Sequence, residues 1–249
     1  MMNELLTAKN IIPQAEHTFA CAALNLQVSE SSIISLVGPQ SSSKTTWLNT
    51  LMGFNAMAQG DLTLLDHDVR QLSRTDWLDL QKDISYVGKD SALLSAYTLM
   101  ENILLPALYH KIGGREELTA QVYNLFNELG FDDRGELNEL PAFVTPLLIM
   151  YTKLARALIV KPKLLFIADV YAELSPGRMH NTRLFLNKYI KKTETSIILT
   201  TSHLEYIIND SSCFVFLSDK VTCVYRNKQE LIESDVPCVK EYVSRAGFH

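Results

Sequence analysis

The stretch GPQSSSKTT, residues 38–46, has the residue types and the spacing of a phosphate-binding loop. It follows the apolar run SIISLV and precedes WLNTLMGF, which predicts a strand, a tight loop and a helix in that order. The full pattern is a glycine, four residues and then Gly-Lys-Ser/Thr, and Gly38, Lys44 and Thr45 fit it. Such a loop binds phosphate through backbone N–H groups and the start of the next helix, with Thr45 as the Mg²⁺ ligand.

Two serines stand where this loop could carry glycine. Ser43 takes the place of the second glycine, and Ser41 lies two residues before it. A residue other than glycine pays roughly 1–2 kcal/mol for a positive φ. If both positions need that conformation, the serines weaken phosphate binding by roughly tens to several hundred fold. A strand, turn and helix with a chance lysine remains the alternative on this motif alone. The predicted binding set is Gly38, Ser41, Ser43, Lys44, Thr45 and Thr46.

The elements that would position this loop alternate along the chain. Short apolar runs typical of buried strands lie at 32–37, 83–88, 163–169 and 195–202. Hairpins are predicted at 60–69 and 212–227, and helices within 97–131 and 145–160. Strands interleaved with helices predict an α/β fold with a largely parallel sheet.

The composition is that of an ordinary globular protein, with 47% hydrophobic and 20% charged residues. A net charge of −5 gives no indication of a nucleic-acid partner, and we expect none. No apolar stretch reaches the roughly 18 residues of a membrane span. The start, MMNELLTAKN, lacks the features of a secretory signal, and the four cysteines form no CxxC pair, which predicts reduced thiols. We expect a cytosolic protein.

Three further segments follow in order: 84–108, 153–176 and 196–207. They resemble, in turn, the Q-loop with its helical subdomain, the stretch from signature helix through Walker B to D-loop, and the switch-histidine strand of ABC transporter ATPase subunits. The resemblance covers essentially the whole chain. It implies a single nucleotide-binding domain, 1–249, with a P-loop NTPase core. That core would hold a largely parallel sheet and an antiparallel β part at 1–89 and 154–249, with an inserted α-helical subdomain at 90–153.

Two details resemble one branch, the ATPases of Mla/Mce-type phospholipid transport systems. One is LPAFVTPLL at 140–148, which is similar to that branch's approach to its signature. The other is NKQELIESDVPCVKEYVS at 227–244, which resembles its C-terminal helix. The branch implies a role in lipid transport.

The resemblance also shows where this sequence departs from the family. The family signature, Leu-Ser-Gly-Gly, falls on Val144, Thr145, Pro146 and Leu147. In the family this loop donates backbone N–H groups to the γ-phosphate held by the opposite subunit, and Pro146 has no N–H to give. Lys89 stands at the Q-loop glutamine and cannot accept a hydrogen bond. It joins the binding set as the residue facing the nucleotide from that loop.

The Walker B segment leaves two registers open. Alignment without a gap puts Ala168 at the Mg²⁺-supporting aspartate and Asp169 at the catalytic glutamate, one methylene shorter, and this register is favoured. The rival register makes Asp169 the Walker B aspartate and Val170 the catalytic position. A slide by one residue turns every side chain of a strand to the other face, so the registers exclude each other. In either one, an essential carboxylate is missing.

The switch histidine is open in the same way. A gapless alignment from the hairpin backward gives Ser202 that role, whereas a shift by one gives His203. A histidine held at a strand end by local hydrogen bonds is the structural alternative. The catalytic candidates are therefore Asp169 and His203.

Loss of one general base commonly costs a factor of roughly 10²–10⁴ in rate, and here four motifs are altered. We expect a pseudo-ATPase or scaffold that binds ATP and Mg²⁺ weakly or not at all, on the inner face of the cell membrane. The implied partners are a membrane permease docked at a groove near 85–110, a second ATPase chain in a homo- or heterodimer, a small regulatory subunit and an Mce-type lipid-binding protein. The alternatives are a weak but genuine ATPase using Asp169 and His203, and a soluble regulatory protein that kept the fold for protein contacts.

Overall fold

The computed structural model describes residues 4–14, 22–131, 135–219 and 221–248. Its strands are β1 (Glu4–Pro13), β2 (Leu24–Ser29), β3 (Ile33–Val37), β4 (Met57–Leu64), β5 (His67–Asp68), β6 (Ile84–Val87), β7 (Leu164–Ala168), β8 (Ser196–Thr200), β9 (Cys213–Leu217) and β10 (Thr222–Tyr225). Its helices are α1 (Lys44–Leu51), α2 (Arg74–Leu80), α3 (Leu99–Tyr109), α4 (Arg115–Glu128), α5 (Pro146–Leu158), α6 (Pro176–Thr193), α7 (Leu204–Ile207), α8 (Lys228–Ile232) and α9 (Pro237–Arg245). Short 3₁₀ helices span Gly135–Asn138, Pro141–Phe143 and Val170–Glu173. Of the four cysteines, Cys21 lies outside the described residues, and the other three are half-buried free thiols.

The larger of the two sheets has six strands in the order β10-β9-β3-β8-β7-β6. All its neighbouring strands are parallel except the β9–β10 hairpin. Parallel strands end at one edge of a sheet, so the segments that follow β3, β6, β7 and β8 meet there. The predicted α/β fold with a largely parallel sheet is confirmed.

A second sheet, in the order β2-β1-β4-β5, is antiparallel throughout. Its edge is the β4–β5 hairpin that the sequence predicts at 60–69. The antiparallel part of the predicted fold is therefore confirmed.

Side chains from the two faces of β7 enter different hydrophobic clusters. Leu164 and Phe166 pack with Trp47 of α1 between the two sheets. Leu165 and Ile167 point the other way and join the cluster that contains residues of α3, α4, α5 and α6. This alternation along a strand buried on both faces explains why its sequence is a continuous apolar run.

The helices α3, α4 and α5 pack on one another beside the parallel sheet. Pro146 is the first residue of α5, where no N–H is needed, so its predicted tolerance is confirmed. The boundaries at 89/90 and 153/154 stay a prediction, and α5 runs across the second of them. In the part of the chain that is described, no helix has the length and apolar character needed to cross a bilayer.

Candidate functional site

The loop between β3 and α1 begins at a position that only glycine can occupy. Gly38 has φ 143, and a Cβ built on it would lie 2.1 Å from the backbone oxygen of Leu217. A side chain at this position would also be strained, since L residues avoid that region of φ. The first glycine of the pattern therefore has a structural reason in the packing of the loop against β9.

Only one of the two serines takes the glycine-like conformation. Ser43 precedes α1 with φ 51 and ψ 31, in the left-handed region. Ser41 is not among the described residues with a positive φ. The condition that both serines need this conformation is therefore met by Ser43 alone, and the cost of roughly 1–2 kcal/mol applies to that residue.

The ammonium group of Lys44 lies folded over its own loop. Its Nζ donates to the carbonyl oxygens of Gly38 at 2.9 Å and Pro39 at 2.6 Å, and to Ser42 Oγ at 3.3 Å. The side chain is only 8% exposed. Burial lowers the pKa of Lys44 to about 8, and the carboxylate of Asp169 acts in the opposite direction. At neutral pH the group stays mostly protonated and can bind an anion that displaces the loop carbonyls.

Thr45 and Thr46 form the first turn of α1, behind the loop. Thr45 is exposed and Thr46 is half-buried. The backbone N–H groups of a helix's first turn lack partners within the helix, so this end can bind an anion. The predicted binding residues of the loop are thus brought together around one helix start.

The strand β7 ends in an alanine that is followed directly by an aspartate. Ala168 closes the strand and packs in the cluster that contains Trp47 of α1. Asp169 follows with φ 51, and its N–H contacts both the carbonyl oxygen of Thr200 at 3.2 Å and Thr200 Oγ1 at 3.1 Å. Asp169 is therefore held at the end of β8, within electrostatic reach of Lys44.

A cleft of about 270 Å³ opens between this strand end and α5. Lys89 from the Q-loop segment, Lys153 and Pro146 from α5, and Ala168 and Asp169 line it. The structure thus brings Lys89 and Asp169 to one cleft, as the sequence predicts for a shared site. The sequence gives no signal for Lys153, which reaches the cleft only because α5 packs there.

Two basic residues of α5 attach the Q-loop segment to the helix. Lys153 Nζ donates to the carbonyl oxygens of Gly88 at 3.4 Å and Lys89 at 3.2 Å. Arg156 donates to the carbonyl oxygen of Ala92 at 2.8 Å. Burial lowers the pKa of Arg156.

The two candidates for the switch position have different surroundings. His203 Nδ1 lies 3.2 Å from Glu205 Oε1, and its ring stacks at a tilt on Tyr206 with centroids 5.5 Å apart. The carbonyl oxygen of Ser202 accepts a hydrogen bond from the Tyr242 hydroxyl at 3.3 Å. His203 therefore has the local partners of a structural histidine, the alternative that the sequence left open.

Tyr242 belongs to α9 and also reaches the phosphate-binding loop. Burial raises the pKa of its hydroxyl to about 12, and a hydrogen bond to the backbone of Gly38 lowers that pKa in part. Its ring meets Phe216 of β9 edge to face, with centroids 5.5 Å apart. One side chain of the C-terminal helix thus contacts both the start of the loop and the segment after β8.

The donor set does not fit the Mg²⁺ ion that the family would place here. Mg²⁺ is held by oxygen ligands, usually the loop's Ser/Thr and a carboxylate at the end of a nearby strand of the same sheet. On its α1 side β7 ends in Ala168, whose side chain has no oxygen ligand. Among the described residues, Lys89 and Lys153 line the adjoining cleft beside one carboxylate, Asp169. In the described residues, no group of three or more His, Cys, Asp or Glu side chains could hold a metal.

Known proteins resemble this chain in sequence. The sequence profile of the family described as ABC transporter matches residues 21–169, more than half of the chain. The methionine import ATP-binding protein MetN of Rhizobium johnstonii is 25% identical over 190 residues, covering 76% of this chain and 52% of MetN. The lipoprotein-releasing system ATP-binding protein LolD of Wigglesworthia glossinidia brevipalpis is 26% identical over 188 residues, covering 73% of this chain and 79% of LolD. The chain spans about half the length of the MetN relatives that it matches.

Solved structures share the fold. The ATP-binding subunit of an ABC transporter aligns with a TM-score of 0.80 at 17% identity, over 98% of this chain and 99% of that one. A dimeric ATP-binding cassette bound to ADP and phosphate aligns with a TM-score of 0.76 at 18% identity, over 89% of this chain and 98% of that one. The fold is that of the P-loop NTPase core of ABC ATPases. Because the family profile also matches more than half of the sequence, the chain belongs to the ABC transporter family.

Proposed function

We propose that this chain is the nucleotide-binding subunit of an ABC transporter whose own hydrolytic site has degenerated, so that it acts as a pseudo-ATPase or scaffold. The observation that carries the proposal is the end of β7. Ala168 lies there on the α1 side, where a carboxylate would have to share a metal with Thr45. We therefore assign Ala168 to the place of the Mg²⁺-supporting aspartate and Asp169 to that of the catalytic glutamate.

The start of α5 supports the loss of the contact made across a dimer. Pro146 brings no N–H to the first turn, and the N–H of Leu148 is bound by Thr145 Oγ1 at 3.3 Å. Leu147 adds an apolar side chain between them. A helix start with so few donors is a poor site for the γ-phosphate of a partner chain.

A groove beside the Q-loop segment supports the docking of a membrane subunit. It has a volume of about 540 Å³ and is lined by residues of α2, β6, α3 and α5 and by the segment after α1. Phe54, Leu105 and Tyr109 line it while 58%, 39% and 71% exposed. Apolar side chains that stay exposed together mark an interaction site, and a groove of this kind accepts an amphipathic helix. We assign it to a cytoplasmic coupling helix of a permease, with this chain on the inner face of the cell membrane.

The remaining parts of the proposal concern the pathway. The signature approach at 140–148 and the tail at 227–244 support a lipid-transport system of the Mla/Mce type, and one relative belongs to a lipoprotein-releasing system. The partners would be the permease, a second ATPase chain, a small regulatory subunit and an Mce-type lipid-binding protein. The core at 1–89 and 154–249 would hold the loop, and the helical subdomain at 90–153 would face the permease.

Co-purification with the membrane subunit tests the docking role. Leu105→Asp and Tyr109→Asp should each reduce recovery of the permease by about tenfold or more, because an unpaired carboxylate would be buried in an apolar contact. Leu184→Asp is the matched control, since Leu184 is 56% exposed on α6 and does not line the groove. The measurement is the permease-to-subunit ratio after affinity purification in detergent.

Equal recovery with the groove variants and with Leu184→Asp would contradict the docking site. Failure of the unaltered chain to retain any permease would favour the alternative of a soluble regulatory protein. The second alternative, a weak but genuine ATPase, is supported by the electrostatic contact of Asp169 with Lys44. In that case Asp169 and His203 would do the catalytic work, and hydrolysis would be lost on Lys44→Ala.

A further inference from the structure

We propose that the cleft between α5 and the end of β7 binds the triphosphate of a nucleotide with lysine ammonium groups, and no divalent cation, as the counter-charge. The inference rests on the proposed function and deepens it, since it states how a degenerate site would still take its ligand.

The charges around the cleft favour a polyanion. Of the residues that the structure describes, Lys89 and Lys153 line it, together with a single carboxylate, Asp169. Asp169 lies near Lys44 of the phosphate-binding loop, which links the cleft to the loop. Two lysines therefore line the cleft, and its carboxylate lies within electrostatic reach of a third lysine on the phosphate-binding loop. A triphosphate needs such positive charge along its length once no metal supplies it.

Lys153 is held where it can serve as such a charge. Its Nζ reaches the carbonyl oxygens of Gly88 at 3.4 Å and Lys89 at 3.2 Å, which are long hydrogen bonds. An ammonium has three protons to donate, so a phosphate oxygen in the cleft can be bound while the helix still holds the Q-loop segment. Lys89 belongs to that same segment, so the backbone that carries its side chain is held next to Lys153.

Ala168 at the end of β7 also favours the binding of a phosphate without a metal. A carboxylate at Ala168 would be needed to help hold Mg²⁺, but without the metal it would repel phosphate. Ala168 removes that repulsion, and the lysine at position 89 replaces a neutral family glutamine with a positive charge. The substitutions that abolish a metal site thus jointly favour a metal-free anion site.

Calorimetric titration of the purified chain tests the inference, with ATP in excess EDTA and with ATP in excess Mg²⁺. We expect ATP to bind in EDTA at least as tightly as in Mg²⁺. Metal-free ATP carries more negative charge than ATP bound to Mg²⁺, so the lysines attract it more strongly. Lys153→Gln and Lys89→Gln should each weaken binding in EDTA by about tenfold, the loss of one charge-assisted hydrogen bond. Ala168→Asp should weaken binding in EDTA and make it depend on Mg²⁺.

Lys192→Gln is the matched control, because Lys192 is an exposed lysine in the last turn of α6, near the opposite edge of the parallel sheet. It should leave the affinity unchanged. Inorganic tripolyphosphate and adenosine separate the parts of the ligand: tripolyphosphate should bind in EDTA and adenosine should not. Lys89 is exposed, so its variant stays informative if Lys153→Gln fails to fold.

Three results would overturn the inference. These are ATP binding that requires Mg²⁺, lysine variants that bind like Lys192→Gln, and the absence of ATP binding in both buffers. None of them bears on co-purification with a permease, so a failure here is distinguishable from a failure of the proposed function.

Discussion

Ser43 and Ser41 are the same residue type in one loop, but their backbone conformations differ. Ser43 has φ 51, whereas Ser41 is outside the positive-φ set. Ser43→Gly should relieve roughly 1–2 kcal/mol of strain and cost roughly 0.5–1 kcal/mol in chain entropy, so it should stabilise the fold by about 1 kcal/mol or less. Ser41→Gly has no strain to relieve and should destabilise the fold by roughly 0.5–1 kcal/mol. Urea denaturation measures both free energies of unfolding.

Opposite signs for the two variants are the expected result. A loss of stability in Ser43→Gly equal to that of Ser41→Gly would mean that Ser43 is comfortable in its left-handed conformation. The strain assigned to the loop would then be absent.

At the residue scale, the sequence predicts what local spacing controls. Gly38, Lys44 and Thr45 lie within eight positions of each other, and one strand, loop and helix bring them together. Lys153 and Arg156 contact backbone 64 or 65 positions away, so their contribution depends on how α5 packs and leaves no mark in the local sequence. Motif spacing does not report φ, so the sequence alone leaves open which of the two serines takes the left-handed conformation.

At the scale of elements, α9 braces the site through Tyr242. The Tyr242 hydroxyl contacts Ser202 and the backbone of Gly38, two segments that leave neighbouring parallel strands. Tyr242→Phe should lower the free energy of unfolding by about 1 kcal/mol, the usual worth of a hydrogen bond. It should also speed amide hydrogen exchange in the peptides that contain Gly38 and Ser202.

Tyr225→Phe provides the control for this prediction. The Tyr225 hydroxyl is bonded to Ser234 Oγ at 2.7 Å, away from the loop. Loss of the Tyr225 hydroxyl should lower the free energy of unfolding by a similar amount. Amide hydrogen exchange at Gly38 and Ser202 should then rise only as far as the lower global stability explains. Identical exchange patterns in the two variants would show that α9 does not brace the loop.

Elements were predictable where burial produced a clear pattern. β3, β7 and β8 are fully buried, so each appears as an unbroken apolar run. β1 was missed because its pairing shifts register around Lys9 to Ile12 and Asn10 takes φ 52, which breaks the alternation. α6 was missed because it opens on Pro176 and Gly177, residue types that usually mark turns.

For the whole molecule, the altered motifs affect both nucleotide sites of a dimer of ATPase chains. In the family each nucleotide is held between two chains. One chain supplies the phosphate-binding loop and the Walker B segment, and the other supplies the signature. Under the proposed assignment, this chain alters both halves, with Ala168 at one and Pro146 and Leu147 at the other. Under the proposed function, an intact partner therefore restores hydrolysis at neither site, and the chain acts through position and contact.

Single-turnover release of phosphate tests the absence of hydrolysis most directly. The purified chain, alone and in complex with its partner subunits, is mixed in excess over ATP in a buffer that contains Mg²⁺. A Lys44→Ala preparation is measured in the same way for comparison. The triple repair Ala168→Asp, Pro146→Gly and Leu147→Gly serves as the reference for gained activity. We predict the same background rate for the unaltered chain and for Lys44→Ala. Release on the order of 1 per second, within the usual range for enzymes, that is lost in Lys44→Ala would contradict a pseudo-ATPase.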